Sequence, residues 1–242
     1  MKLVLLPGLD GTGVLFRPFV TLLTAQQTGI EPVVLSYPTR KPLGYDDLLP
    51  QIMGMLPREP FVLLGESFGG PLSLRIAAAA PSGLQALILA ASFVTCPYRW
   101  APSWMAPLIV PFPFRLLPTV TRALAALGCY ATPEHFALSM ESLTQVAPEV
   151  FAHRVREIVR CDATAELRAC RIPILYLQGI YDRVVGPANL QRIRRLKPAI
   201  HTARIASGHM ILKTQPQAAL RAIEQFLAHL VADRSGAASA TP

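Results

Sequence analysis

The chain has 242 residues, 52% of them apolar and only 16% charged, so it is long and apolar enough to bury a sizeable core and is not a disordered segment. Its formal charge of +8 comes from 19 Arg and 4 Lys against 15 acidic residues, spread along the chain without interleaved aromatic side chains, which argues against a nucleic-acid surface. Cys96, Cys129, Cys161 and Cys170 show neither C-x-x-C spacing nor paired histidines, which excludes a zinc or redox motif and leaves four reduced, mostly buried thiols as the expectation.

No stretch reads as a membrane span: the most apolar one, Trp104 to Leu117, is interrupted by Pro107, Pro111, Pro113 and Arg115 and falls short of the ~20 residues required. Between Lys2 and Pro7 only Leu3 to Leu6 are apolar, too few for the core of a signal peptide, and the expected compartment is the cytosol.

In chain order, the first strand is predicted at Leu3 to Leu6, followed by the glycine-rich loop Pro7-Gly8-Leu9-Asp10-Gly11-Thr12-Gly13 and a helix over Phe16 to Thr24. That loop lacks the Lys-Ser/Thr ending of a phosphate-binding loop, and no acidic residue follows at the offset of a dinucleotide site. Its N–H groups are instead suited to meet a developing oxyanion, with Asp10 expected to bond its own backbone. A second strand is predicted at Val33 to Ser36, a helix at Tyr45 to Met55 and a third strand at Phe61 to Leu64.

That third strand runs straight into Gly65-Glu66-Ser67-Phe68-Gly69 and a helix over Pro71 to Ala80. A serine between glycines, where a strand turns sharply into a helix, is the local pattern of a nucleophile elbow. The turn lifts the hydroxyl clear of the sheet and aims a helix N-terminus at the place where negative charge would form. Glu66, beside that serine, is expected to pair with a buried cation and support the turn from behind, or else to raise the local negative potential.

A fourth strand is predicted at Leu84 to Ala91, after which the strand rhythm stops between Phe93 and Leu167. Helices are predicted there at Arg115 to Leu127, Pro133 to Val146 and Pro148 to Val159, with a capped turn at Asp162 to Leu167. Strands resume at Ile174 to Leu177 and Thr202 to Ile205, with helices at Ala188 to Leu196 and Gln217 to Val231. The predicted architecture is α/β: a doubly wound, mainly parallel sheet of about six strands with a helical insertion. The core would comprise residues 1–92 and 168–233, the insertion 93–167, and residues 234–242 a small polar tail expected to be disordered.

A serine hydroxyl needs a base, a group to orient that base, and donors for the oxyanion. Asp182 lies in the loop after the strand at Ile174 to Leu177, and His209 in the loop after the last strand, both at the sheet edge where catalytic groups of open α/β sheets collect. His135, His153 and His229 fall in helical stretches and His201 precedes a strand, which leaves His209 as the one placed to be the base; alternatively His209 is a capping or core histidine and Asp182 caps the helix that follows it. The order Ser67, Asp182, His209 is that of α/β-hydrolases rather than of the chymotrypsin or subtilisin types. The oxyanion hole is assigned to the backbone N–H groups of Leu9 and Phe68. Arg192, Arg194 and Arg195 read as a solvated helix face that can also contact an acidic carrier or partner.

On the elbow Gly-Glu-Ser-Phe-Gly-Gly, the acid in Gly-Ile-Tyr-Asp-Arg-Val-Val and the base in Gly-His-Met-Ile-Leu-Lys-Thr-Gln-Pro, the chain resembles the α/β-hydrolase superfamily along essentially its whole length. Its opening loop and elbow also look like the hydrolase portion of plant phytyl ester synthases and of small bacterial hydrolases. Relative to that family, the chain begins at what is usually the third strand, and the familiar His-Gly of the oxyanion loop is Pro7-Gly8 here.

The resemblance implies cleavage of a carboxylic ester through an acyl-enzyme, without cofactor or metal. Thioester hydrolysis and acyl transfer are alternatives, as is, from another class, a non-catalytic ligand-binding protein on the same scaffold. It also implies that the insertion caps the site, with Trp100, Trp104, Met105, Phe112 and Phe114, together with Leu116 and Leu117, binding an apolar part of a small-molecule substrate or else packing the cap onto the core.

Overall fold

The computed structural model describes residues 1–98, 101–111 and 132–239, with side chains described as far as residue 232. Six strands form one sheet, all parallel: β1 (Lys2–Leu6), β2 (Glu31–Val34), β3 (Phe61–Glu66), β4 (Leu84–Ala90), β5 (Ile174–Gly179) and β6 (His201–Ile205), in the spatial order β2-β1-β3-β4-β5-β6. Each predicted strand is present, displaced at its ends by at most a few residues. The order reverses at β1, so that the carboxyl ends of β1 and β3 flank a crevice at a switch point of the topology.

Because side chains alternate across a strand, the central strands feed two separate cores. Phe61 and Leu63 of β3 point into one, with Tyr45, Leu48 and Ile52 of α2 (Tyr45–Met53), Leu72 and Ile76 of α3 (Gly69–Ala78) and Ile193 of α7 (Pro187–Leu196). Val62 and Leu64 point into the other, with Phe19 and Leu23 of α1 (Arg17–Ala25) and Leu220, Ile223 and Phe226 of α9 (Pro216–Ser239). Burial on both faces is what a continuous apolar strand such as Phe61 to Leu64 requires, and it makes the unit doubly wound. The last helix continues past residue 233, through part of the stretch expected to be a tail; alanines at 237 and 238 favour the helical backbone. Among the described residues no helix is long and apolar enough to cross a membrane.

Between β4 and β5 the described elements are helical: a 3-10 helix at Ser103–Leu108, α4 (Pro133–Thr144), α5 (Pro148–Arg160) and α6 (Thr164–Ala169). Prolines 133 and 148 occupy the first turns of α4 and α5, where their missing N–H is no loss, and Thr132 caps α4 by accepting from the His135 N–H at 3.3 Å. The helix predicted at Arg115 to Leu127 lies outside the described residues.

The insertion is fastened to the sheet unit by polar contacts. Arg17 makes two hydrogen bonds to Glu141 at 2.9 and 2.6 Å, the Ala147 N–H donates to Thr39 O at 2.9 Å, and the Tyr45 N–H donates to the Glu157 carboxylate at 3.1 Å. These fix α4 and α5 over the carboxyl edge of the sheet, above β1 and β3.

Candidate active site

Ser67 follows the last residue of β3 and precedes α3, with φ of +49°, a left-handed conformation that costs a non-glycine residue on the order of 1–3 kcal/mol. Neighbours hold it there: its N–H donates to Ala90 O at 3.0 Å, and its carbonyl accepts from the Gly70 N–H at 3.0 Å and from Ser92 Oγ at 2.8 Å. The flanking glycines serve close approach. A Cβ on Gly65 would stand 2.5 Å from Gly69 O, and one on Gly69 would stand 2.6 Å from Leu6 O, so a side chain at either would push α3 off the strands that seat it.

Asp182 and His209 arrive from the two strands that complete the same edge. The Tyr181 N–H donates to Ser207 O at 3.0 Å, drawing the loop after β5 against the loop after β6. Gly179 permits the approach, since a Cβ there would stand 2.3 Å from Gly208 O. His209 Nδ1 then lies 2.9 Å from Asp182 Oδ2, and His209 Nε2 lies 2.9 Å from Ser67 Oγ. The other carboxylate oxygen, Asp182 Oδ1, accepts from the N–H groups of Val184 and Val185 at 2.8 and 2.9 Å, so the aspartate both orients the imidazole and caps the turn leading to α7. The two readings of Asp182 are thus compatible. All three side chains are buried.

Opposite them is the loop after β1. Gly8 lies against Ser67: a Cβ on it would be 3.7 Å from the Ser67 Cβ. The N–H groups of Leu9 and Phe68 make no hydrogen bond to an acceptor among the described residues, while other groups of the loop are tied down. Tyr37 donates its hydroxyl to Pro7 O at 3.2 Å, and the Asp10 carboxylate accepts from the Thr12 N–H at 3.0 Å, from the Thr12 hydroxyl at 2.5 Å and from Ser142 Oγ of α4 at 2.8 Å. Asp10 has the self-bonding role expected from sequence, with one further tie to the insertion.

Arg154 of α5 is the main fastening, and the sequence reading does not include it. Its guanidinium is fully buried and donates to Leu9 O at 2.9 Å, Asp10 O at 2.8 Å and Pro38 O at 2.9 Å, and it lies over the rings of Tyr37 and Phe68. Burial lowers its pKa, while Tyr37 and Asp10 oppose that shift. A signal was available: Arg154 shares the apolar stripe of Val150, Phe151 and Ile158, where a charge needs a buried partner.

A cavity of about 160 Å³ opens beside Ser67 and His209. Leu9, Leu15, Leu143, Phe151, Ile158, Val184 and Met210 form its apolar lining, and Asp10, Glu66, Ser139 and Ser142 its polar lining. Of the residues assigned to it from sequence, only Trp104 and Met105 are among the described residues. Trp104 is 70% exposed and Met105 half-buried, and neither is among the described lining residues. The reason is that α4 and α5, rather than the 3-10 helix carrying Trp104, lie over the crevice. Trp100, Phe112, Phe114, Leu116 and Leu117 lie outside the described residues. A larger groove, about 650 Å³, sits at the amino ends of the strands among Met1, Lys2, Glu59 and Leu230, away from the serine and histidine.

Glu66 is 3% exposed, and its Oε1 has no hydrogen-bond partner among the described residues. It does not make the contact ion pair that would brace the elbow. The nearby buried cation, Lys213 of α8 (Ile211–Thr214), gives its Nζ to Ser139 Oγ at 2.7 Å and His135 O at 3.4 Å instead. Burial pushes the Glu66 pKa up to about 7; His209 and Lys213 pull it down, Asp10 and Asp182 push it up.

The folded state therefore keeps a proton on Glu66 that the unfolded chain releases near pH 4.5, so stability falls as pH rises from about 4.5 to about 7. A shift of that size corresponds to about 3 kcal/mol. The denaturant midpoint of the native chain is accordingly expected to drop between about pH 5 and about pH 7.5 more than that of Glu66→Gln, which has no such proton to lose. Parallel midpoint curves for the two proteins would show that the carboxyl is not buried in this way.

The remaining ionisable candidates are the cysteines and the arginines of α7. Cys161 and Cys170 are buried and Cys96 half-buried, all free, and burial pushes the Cys161 thiol up to about 12. Cys129 lies outside the described residues. Arg192, Arg194 and Arg195 are exposed on α7; Arg192 bonds to the Thr95 hydroxyl, and the other two sit in the last turn, where cations suit the helix dipole. Among the described residues no cluster of three metal-binding side chains occurs.

The model of a family described as "Serine aminopeptidase, S33" matches residues 45–213, well over half of the chain. The chain belongs to this family, Hydrolase_4. It thus lies within the α/β-hydrolase superfamily.

Solved structures with the same fold as this Hydrolase_4 chain include a bromoperoxidase from Bacillus anthracis, with a TM-score of 0.78 at 16% identity, covering 94% of this chain and 91% of that one. Another is a malate-bound thermophilic esterase from Thermogutta terrifontis, with a TM-score of 0.74 at 21% identity, covering 95% and 90%. Among curated proteins, the Hydrolase_4 chain is 29% identical over 258 aligned positions to polyketide synthase ThaQ of Burkholderia thailandensis; the match takes in 93% of this chain and 12% of that protein's length.

Proposed function

We propose that the chain hydrolyses carboxylic esters of short, largely apolar acyl groups through an acyl-enzyme. The observation that carries this reading is the hydrogen-bonded chain from buried Asp182 through His209 to Ser67 Oγ, at the wall of a cavity that Leu9 also lines; in this reading the N–H groups of Leu9 and Phe68 are the oxyanion donors. His209 Nε2 takes the Ser67 proton as Oγ attacks the carbonyl carbon; Asp182 keeps the imidazole in the tautomer with hydrogen on Nδ1 and stabilises the imidazolium. The oxyanion accepts from the two backbone N–H groups. His209 returns the proton to the departing alcohol, and water, deprotonated by the same nitrogen, then releases the acid and restores Ser67.

Residues 93–167 act in this reading as a cap on a hydrolase core of residues 1–92 and 168–233. The cap closes the crevice to about 160 Å³, well under the ~300–1,000 Å³ of pockets for drug-sized ligands, which favours a short acyl group.

Thioester hydrolysis, with water as the acyl acceptor, is a second reading, favoured by the similarity to a segment of a protein named for the synthesis of polyketides. The chemistry at Ser67 would be the same, with a thiol leaving in place of an alcohol. The exposed Arg194 and Arg195 would then be available to an acidic carrier.

The test compares p-nitrophenyl butyrate, p-nitrophenyl laurate, butyryl N-acetylcysteamine and alanine p-nitroanilide. Butyrate ester cleavage with kcat/KM at least about tenfold above laurate is expected, since the long chain exceeds the cavity. Cleavage of the anilide with no ester turnover would replace the esterase reading by an aminopeptidase one, and exclusive cleavage of the thioester would favour the second reading.

A further inference from the structure

Beside Ser67 the cavity carries a polar wall that ester cleavage does not use. Glu66 adjoins the nucleophile in the chain, lines the same cavity and leaves Oε1 buried without a partner. Ser139 and Ser142, one helical turn apart on α4, line the cavity next to it. Asp10 and Lys213 back this wall: Ser142 Oγ donates to the Asp10 carboxylate, and Ser139 Oγ accepts from the Lys213 ammonium and donates to His135 O at 3.0 Å. A buried oxygen left without a donor or acceptor is costly, so a ligand group that pairs with it is selected over one that does not.

We propose that Glu66, with Ser139 and Ser142, forms a subsite for a hydroxyl group on the acyl chain of the substrate, and that Glu66 is a specificity-determining residue. This rests on the esterase reading, and it identifies the substrate class as short hydroxyacyl esters. The volume and the chain adjacency of Glu66 and Ser67 set the distance: the hydroxyl lies within a few bonds of the carbonyl that Ser67 attacks.

The neighbouring charges choose the ligand chemistry. Asp10 and Glu66 repel a substrate carboxylate, while Lys213, behind Ser139 of the same wall, opposes an ammonium, which would also have to shed its water in a buried site. A hydroxyl both donates and accepts, so it pairs with either protonation form of Glu66 around neutrality. Aliphatic chains leave Oε1 unpaired.

The measurement is the ratio of kcat/KM for methyl 3-hydroxybutyrate over methyl butyrate, with methyl 3-aminobutyrate as a third arm. In the native chain the ratio is expected to be at least about tenfold in favour of the hydroxyl ester, in line with sites built to bind a substrate hydroxyl. Glu66→Met, its fold checked by circular dichroism and thermal unfolding, is expected to bring the ratio towards one, whereas Glu66→Gln, which retains an acceptor, keeps most of it. A ratio within twofold in the native chain, a preference that survives Glu66→Met, or stronger preference for the amino ester overturns the subsite.

Binding of the same esters to Ser67→Ala separates this from failure of the esterase reading. Even if none is cleaved, a Kd about tenfold lower for the hydroxyl ester supports the subsite and equal Kd values overturn it.

Discussion

Replacing Ser67 with alanine is expected to reduce kcat for p-nitrophenyl butyrate by about 10⁴ to 10⁶, leaving only the residual rate that binding and oxyanion donors supply without a nucleophile. In free energy this is on the order of 5–8 kcal/mol of transition-state stabilisation. Folding stability should change little, because the hydrogen bonds that hold residue 67 at its positive φ run through its backbone N–H and carbonyl, which alanine retains. Fluorophosphonate should label the native chain at Ser67 and leave Ser67→Ala unlabelled. Butyrate hydrolysis at the native rate in the variant, or an adduct on another serine, would move the nucleophile elsewhere.

Arg154→Met is expected to cost about 3–5 kcal/mol of stability and to lower kcat about 10- to 100-fold. Three carbonyls, that of buried Asp10 and those of Leu9 and Pro38, would lose their donor together, and methionine fills the space without replacing it. The charge itself is expensive to bury, as the lowered pKa of Arg154 reflects, and removing it offsets part of the loss. Activity should fall because the released carbonyl belongs to Leu9, whose own N–H is an assigned oxyanion donor. A single misplaced donor of that kind costs on the order of 3 kcal/mol in the transition state. One ammonium group cannot span the three acceptors that the guanidinium reaches, so Arg154→Lys should recover little. The check pairs urea unfolding, reading a midpoint shift at constant m-value, with kcat on p-nitrophenyl butyrate. A variant as stable and as active as the native chain would show that the loop holds its shape unaided.

Arg154 and Trp104 mark the two ways in which the sequence reading departs from the structure. The α5 helix is legible from its apolar spacing, yet the significance of an arginine inside that spacing depends on what the stripe faces, and the stripe faces a loop about 145 positions earlier in the chain. Trp104 is assigned to the pocket from sequence because the insertion as a whole belongs over the nucleophile. Which part of an insertion covers a crevice is decided by how its helices dock, here through Arg17 to Glu141, Thr39 to Ala147 and Tyr45 to Glu157. None of those contacts has a local sequence pattern.

By itself the sequence determined the strand and helix succession, the parallel sheet buried on both faces, and the candidates Ser67, Asp182 and His209. Each depends on short-range physics: a continuous apolar run needs cover on both sides, and a serine between glycines marks a sharp strand-to-helix turn. The tertiary structure alone decided that those three side chains meet at 2.9 Å, that Arg154 ties the opposite loop to the insertion, and that Glu66 lines the cavity with its Oε1 buried and unpaired rather than bracing the elbow. Distances between segments more than a hundred residues apart follow from the joint packing of sheet, loops and insertion, and no local stretch of chain carries that information.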